Sequence, residues 1–152
     1  FVAVNTQLNS SNLGFHVISK YIGANCITIN ESEMRHELRN KTVHTIPLIK
    51  TLSKKLKSKY IHVTSGDAGS IIYNATLKEI IICPAFASKV LDKVGTGDTM
   101  LAILAISLFK KFNIKFSMFL SALAAAQNIQ YMANKIPINK VNITRALQSY
   151  LK

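Results

Sequence analysis

Apolar residues recur along this chain in short β-branched runs separated by stretches with helical spacing, and that alternation predicts the elements in order. Phe1 to Val4 reads as a short buried strand ending in a polar loop, Asn5 to Asn12, beyond which Phe15, Ile18 and Ile22 fall at helical intervals. Cys26 to Ile29 is a second strand-like run, closed by Asn30. Glu31 to Leu38 supplies helix formers, with acidic residues in the first turn where they complement the helix dipole. Pro47 opens a basic amphipathic stretch with Leu48, Ile49, Leu52 and Leu56 on one side, leading into a strand from Tyr60 to Thr64. Ser65-Gly66-Asp67-Ala68-Gly69 breaks that strand. Ser70 to Tyr73 and Glu79 to Ile82 flank Asn74 to Lys78 and predict an antiparallel pair joined by a turn.

After Pro84 the pattern gives a loop with Val90 and Val94, then Gly95-Thr96-Gly97-Asp98, then an apolar helix from Thr99 to Lys111. An alanine-rich helix over Ser117 to Lys135 follows, and a last helix, Asn142 to Leu151, begins with an asparagine suited to capping. Strands alternating with helices predict an α/β layered fold with a largely parallel sheet and flanking helices. With no internal repeat or low-complexity stretch, residues 1–152 read as one domain or part of one. The chain opens at Phe1, directly in an apolar run with no Met before it, which points to a piece of something longer.

Composition narrows the class. A chain of 152 residues that is 49% hydrophobic and 17% charged is no disordered tail and can bury a core. Its 19 Lys and Arg against 7 Asp and Glu leave +12, which favours anionic partners without specifying the fold. The longest apolar stretch, Met100 to Ile106 with Leu108 and Phe109 after one Ser, falls short of the ~18 residues a membrane span needs, so no membrane partner is expected. Nothing at the start marks export, and Cys26 and Cys83 read as buried free thiols of a reducing compartment, the cytoplasm. Lys41, Lys50, Lys54, Lys55, Lys57 and Lys59 read as a solvated face rather than a nucleic-acid patch, because no aromatic or Arg residue is interleaved with them. His16, His36, His44 and His62 show no metal-ligand spacing with the cysteines, and no Walker-type phosphate loop is present.

Candidate chemistry lies in three places. Gly95-Thr96-Gly97-Asp98 sits where a loop turns into an apolar helix; glycines admit a ligand close to the backbone, and the first helical amides point outward without internal partners. That arrangement can hold a phosphoryl group, with Asp98 placed to take a proton from an attacking hydroxyl. An ordinary helix cap would have the same pattern. Thr64-Ser65-Gly66-Asp67-Ala68-Gly69 offers a loop whose backbone could approach nucleotide phosphates, or a plain turn. Asn30-Glu31-Ser32-Glu33 offers an amide and a carboxylate three apart, suited to a hydrated Mg²⁺ near phosphates, or a cap with acidic first-turn residues. All three read as following strand ends, which in a parallel sheet is the edge where α/β ligands bind.

Together these residues resemble the PfkB, ribokinase-like carbohydrate kinases, and specifically the carboxyl-terminal half of that fold. The family's Asp-Thr-x-Gly-Ala-Gly-Asp signature stands here as Asp92-Lys93-Val94-Gly95-Thr96-Gly97-Asp98; Asn30 and Glu33 match its Asn-x-x-Glu motif, and Thr64, Gly66 and Gly69 its Thr-x-Gly-x-x-Gly loop. The resemblance implies that Asp98 is the catalytic base and that Gly95, Thr96 and Gly97 form the anion hole. It further implies that Asn30 and Glu33 assist Mg²⁺ and phosphate placement, with Glu33 toward the metal, and that the Thr64 loop contacts ATP. The acceptor would be a small sugar or sugar phosphate. The opening Val4-Asn5-Thr6-Gln7-Leu8-Asn9-Ser10 and Asn12-Leu13-Gly14-Phe15 look most like heptose kinases and sugar kinases fused to cytidylyltransferases. Lys93 and Thr96 replace a small hydroxyl residue and an Ala of the family pattern, and Leu123 stands in the Ala-rich helix where relatives often carry a polar residue. The family's sugar-binding half would lie upstream, so the isolated chain is expected either to self-associate or to bind nucleotide without phosphorylating sugar; a non-catalytic relative that binds an anion, nucleotide or partner is the alternative.

Overall fold

The β-branched runs form a five-stranded sheet, β1 (Ala3–Asn5), β2 (Cys26–Asn30), β3 (Tyr60–Thr64), β4 (Ser70–Asn74) and β5 (Glu79–Cys83), in spatial order β1-β2-β3-β4-β5. This computed structural model describes residues 1–6, 15–87, 92, 94–130 and 137–150. β1, β2 and β3 run parallel, and β4 returns antiparallel to β3 with Thr64 opposite Ser70. β5 pairs with β4 across residues 75–78, a connection short enough only for a hairpin. Helices α1 (Glu31–Glu37) and α2 (Thr45–Leu56) follow β2, and α3 (Thr96–Phe109), α4 (Ile114–Asn128) and α5 (Lys140–Tyr150) follow the sheet.

Two compact units result, residues 1–66 with 70–82 and residues 67–69 with 83–152. In the first, Ile27 and Ile29 of β2, Ile61 and Val63 of β3 and Tyr73 of β4 pack with Met34 of α1 and with Leu48, Ile49, Leu52 and Leu56 of α2. Burying each of those aliphatic side chains is worth about 1.5–3 kcal/mol relative to leaving it in water. The alternate residues Cys26, Thr28, His62 and Ile72 are buried as well. Cys26 and Cys83 are free, buried thiols, as expected from the sequence, and burial pushes the Cys26 thiol up to about 12. Lys50, Lys54 and Lys57 are exposed, as a solvated face requires.

In the second unit α3 packs on α4 and α4 on α5. Ser117, Ser121, Ala122, Ala124 and Ala125 are buried on α4, where small side chains permit close approach. Phe86, Phe119 and Tyr150 meet edge to face with ring centroids 5.2–5.6 Å apart.

Several expected boundaries move, each for a local reason. The spacing of Phe15, Ile18 and Ile22 yields only a short 3-10 turn, Ile18–Lys20; Ile18 is buried while Phe15 and Ile22 are exposed, and Gly23 with φ +87° turns the chain away. β1 spans Ala3–Asn5, leaving Phe1 and Val2 exposed ahead of it. α2 starts at Thr45, so Pro47 occupies the first turn, where an amide has no intrahelical partner to lose. α4 starts at Ile114 because the Asn113 side chain caps it, accepting from the amides of Lys115 (2.9 Å) and Phe116 (3.4 Å). Asn142 lies inside α5 and is not its cap; Asn139 takes that place, accepting from the Val141 amide at 2.8 Å. The expected helix ends at Lys135 and Leu151 lie outside the described residues.

Candidate active site

In the first unit, Asn30 and Thr64 are register partners on the parallel strands β2 and β3, so both motifs begin side by side where those strands end. Asn30 caps α1: its Oδ1 accepts from the Glu33 amide at 2.8 Å and from the Ser32 hydroxyl at 2.7 Å, while Glu33 Oε2 accepts from the Asn30 amide at 3.1 Å. This reciprocal pair is a capping box, so the three-residue spacing has a structural reason in this chain as well as the chemical one read from the sequence. Glu33 also borders a cavity of about 580 Å³ within the first unit, with Thr6, His16, His36 and Arg39 among its other walls.

Between the two capping residues, Glu31 gathers partners from three segments. Its Oε1 accepts from Arg35 Nη2 (2.7 Å), Arg35 Nε (3.1 Å) and Thr45 Oγ1 (2.7 Å), and its Oε2 from Ser65 Oγ (2.8 Å). Hydrogen bonds from Thr45, then Ser65 and Arg35, hold its carboxyl below the ordinary carboxylate range.

The two glycines of the Thr64 loop serve different ends. Gly66, in the first unit, has φ +57° and nothing within 4 Å of where a Cβ would lie, so its backbone is open to a close-lying ligand. It begins a 3-10 turn, Gly66–Ala68. Gly69, in the second unit, has φ +86°, and a Cβ there would stand 2.2 Å from the Cys83 carbonyl oxygen and 2.9 Å from Pro84. Close packing against the end of β5 requires glycine at that position.

The Gly95 turn belongs to the second unit. α3 begins at Thr96, three residues earlier than the pattern predicts, so Gly97 and Asp98 lie in the first helical turn instead of the loop before it. Gly95 is the residue before the helix, left-handed at φ 74°, and no side chain caps the helix from that position. The Thr99 amide closes onto the Gly95 carbonyl at 2.9 Å, while the amides ahead of it belong to the turn that has no intrahelical acceptor. α1 and α4 carry capping asparagines; α3 carries a glycine. Asp98 is exposed in that first turn, and the Thr96 hydroxyl oxygen is buried without a hydrogen-bond partner. Asn128, buried at the end of α4, donates from Nδ2 to the Val94 carbonyl at 3.3 Å, and the Asp92 amide donates to the Ile129 carbonyl at 3.3 Å, which ties the turn to α4.

The first unit therefore gathers Asn30, Glu33, Thr64 and Gly66 at the ends of β2 and β3, and the second gathers Gly95, Thr96, Gly97 and Asp98 at the start of α3. Lys93 and residues 7–14 lie outside the described residues. Sequence reasoning missed Glu31 and Asn128. A Glu four residues before an Arg is a legible helix pair, but the contacts to Thr45 and Ser65, and that of Asn128 to Val94, are tertiary and leave no trace in local spacing. Among the described residues no group of three or more His, Cys, Asp and Glu is arranged to hold a metal.

Residues 3–140 match the pfkB family carbohydrate kinases, and the chain belongs to that family. Among its relatives are the Bifunctional protein HldE of Campylobacter curvus, 37% identical over 111 residues (71% of this chain, 23% of that protein), and the Bifunctional protein HldE of Helicobacter pylori, 31% identical over 121 residues (78% and 26%). The chain thus spans about a quarter of the length of these curated relatives. Its fold is ribokinase-like. The ribokinase of Giardia lamblia superposes with TM-score 0.76 at 15% identity, covering 95% of this chain and 49% of that one. The Arabidopsis thaliana ribokinase solved with ribose and ATP superposes with TM-score 0.72 at 21% identity, covering 82% and 41%. Family and fold both agree with the resemblance that the sequence carries.

Proposed function

We propose that this chain is the carboxyl-terminal, nucleotide-binding part of a kinase domain that transfers the γ-phosphoryl group of ATP to a hydroxyl of a sugar or sugar phosphate. The observation that carries the reading is the start of α3. A left-handed glycine stands where a capping side chain would otherwise occupy the helix end, and a carboxylate lies in the same turn. Backbone amides of Gly95 to Gly97 stabilise the charge of the migrating phosphoryl group, with a helix dipole worth about 0.3–1 kcal/mol for an exposed anion behind them. Asp98 accepts the proton of the attacking hydroxyl. Because such a transition state is loose and proton loss comes late, the placement of that carboxylate matters more than its basicity.

Thr64 and the open backbone at Gly66 face nucleotide phosphates in this reading. Mg²⁺ would neutralise charge on those phosphates; it keeps most of its waters and takes one or two protein carboxylates. Glu33, in the first turn of α1 beside the ends of β2 and β3, would supply such a carboxylate through water. The ribokinase solved with ribose and ATP supports the substrate classes by analogy of fold.

A second reading has its own support. The Asn30–Glu33 capping box and the packing of Gly69 on Cys83 and Pro84 account for two of the motifs without any ligand, as in a non-catalytic relative that binds an anion, nucleotide or partner. The readings separate in a screen of sugars and sugar phosphates for acceptor-dependent ATP consumption, with this chain joined to a sugar-binding half. The kinase reading expects at least one acceptor to drive ADP release with Mg²⁺ present. Nucleotide binding without turnover on any acceptor favours the second.

A further inference from the structure

Glu31 joins three segments of the first unit that are far apart in sequence. It stands in the first turn of α1, beside the Asn30 cap; Thr45, bonded to it at 2.7 Å, begins α2; Ser65, bonded to it at 2.8 Å, is the first residue past β3. Arg35 clamps the same carboxylate from one helical turn on, through Nη2 at 2.7 Å and Nε at 3.1 Å. Arg35 also donates through Nη1 to the Val43 carbonyl at 2.8 Å and through Nη2 to Thr45 Oγ1 at 3.2 Å, which fixes the clamp to the connection leading into α2. With side-chain exposure of 23% for Arg35 and 29% for Glu31, the pair is shielded enough to hold its geometry better than a fully exposed ion pair. One carboxylate oxygen is thus committed to Arg35 and Thr45, and the other is aimed at Ser65.

Ser65 separates Thr64, the register partner of Asn30, from Gly66, the left-handed residue with open space around it. Nothing in the side chain of Gly66 can anchor this turn, so its position depends on its neighbours.

We infer that Glu31 is a positioning residue: its carboxylate, braced by Arg35 and Thr45, holds Ser65 and so fixes the Thr64–Gly66 turn beside the Asn30 cap as one preformed surface. The inference rests on the proposed nucleotide role of that turn. A turn held in its binding geometry loses less freedom when a ligand arrives, which raises affinity without adding a contact. Glu31 itself need not touch the ligand.

The test uses four variants of this chain: Glu31→Ala, Ser65→Ala, the double variant and Ser65→Thr. Ser65→Ala leaves the Arg35 and Thr45 bonds in place and carries the test if Glu31→Ala fails to fold. Backbone ¹⁵N order parameters at Ser65 and Gly66, measured without nucleotide, should fall in Glu31→Ala and Ser65→Ala and be kept in Ser65→Thr; unchanged values overturn the inference. Calorimetric titration with a non-hydrolysable ATP analogue and Mg²⁺ should give binding about tenfold weaker in Ser65→Ala, the loss expected for one charged hydrogen bond. The double variant should be no weaker than Glu31→Ala, and Ser65→Thr should bind as wild type. Losses that simply add, or no loss in Ser65→Ala, overturn it. If the wild-type chain binds no nucleotide, the nucleotide role of that turn in the isolated chain falls, and the order parameters alone decide the role of Glu31.

Discussion

His62 sits on β3 with no exposed surface. Its Nδ1 lies 3.3 Å from Thr28 Oγ1 on β2, and its Nε2 has no hydrogen-bond partner. Charging this imidazole would place a cation where nothing compensates it, so desolvation lowers its pKa from 6.5 to about 4. Between those values the unfolded chain binds a proton that the folded chain refuses. Stability is therefore full above about pH 6.5 and is lost progressively as pH falls toward about 4. At about 1.4 kcal/mol per pH unit, the gap amounts to about 3 kcal/mol. The comparison is urea unfolding followed by far-UV circular dichroism at pH 7.5, 6, 5 and 4 for wild type and His62→Leu. Glu31, whose carboxyl is held below the usual range, acts only under about pH 4.5 and is common to both proteins, so it cancels in the difference. The wild type should lose about 3 kcal/mol more than the variant across this range. Parallel curves would refute the placement of His62 as a neutral imidazole in the core with Nε2 unpaired.

Three further outcomes follow from local geometry. Gly69→Ala should destabilise the second unit by about 3 kcal/mol through overlap with Cys83 and Pro84 and a left-handed backbone, whereas Gly66→Ala should cost only about 1 kcal/mol; thermal melts that rank them the other way would contradict the packing assigned to each. Asn30→Ala removes the acceptor for two donors at the start of α1 and should cost about 1–2 kcal/mol in chemical denaturation, an expectation that a silent substitution would defeat. Cys26, with its thiol pushed up to about 12 and fully buried, should resist a disulfide reagent at pH 8 until denaturant is added; rapid labelling in the native protein would show that the site opens.

Much of this fold is legible in the residues because burial and period agree. β2 to β5 fall within a residue of where their β-branched runs predict them, and α2 follows the stripe of Leu48, Ile49, Leu52 and Leu56. Helix starts are harder. The pattern sees where apolar spacing begins, while the start is set by whichever residue first adopts the turn: Gly95 for α3, Asn113 for α4. Phe15, Ile18 and Ile22 show the opposite failure, a period without a helix, because only Ile18 finds a core to enter. At the site, the motif residues were readable one by one, since glycines, an amide and carboxylates at strand ends carry their chemistry on their face. What the spacing could not tell is which of them also serve the scaffold. Asn30 and Glu33 bond each other, Gly69 yields to the end of β5, and Glu31, a filler position in the motif, turns out to bond Arg35, Thr45 and Ser65.

The carboxylate at the start of α3 offers the most direct test. In a kinase-competent protein containing this chain, Asp98→Asn keeps the shape of the turn and removes the proposed proton acceptor. Steady-state turnover with saturating acceptor should fall about 10²–10⁴-fold while the KM for ATP stays within about threefold of wild type. Turnover near wild type would contradict the assignment of Asp98 as proton acceptor.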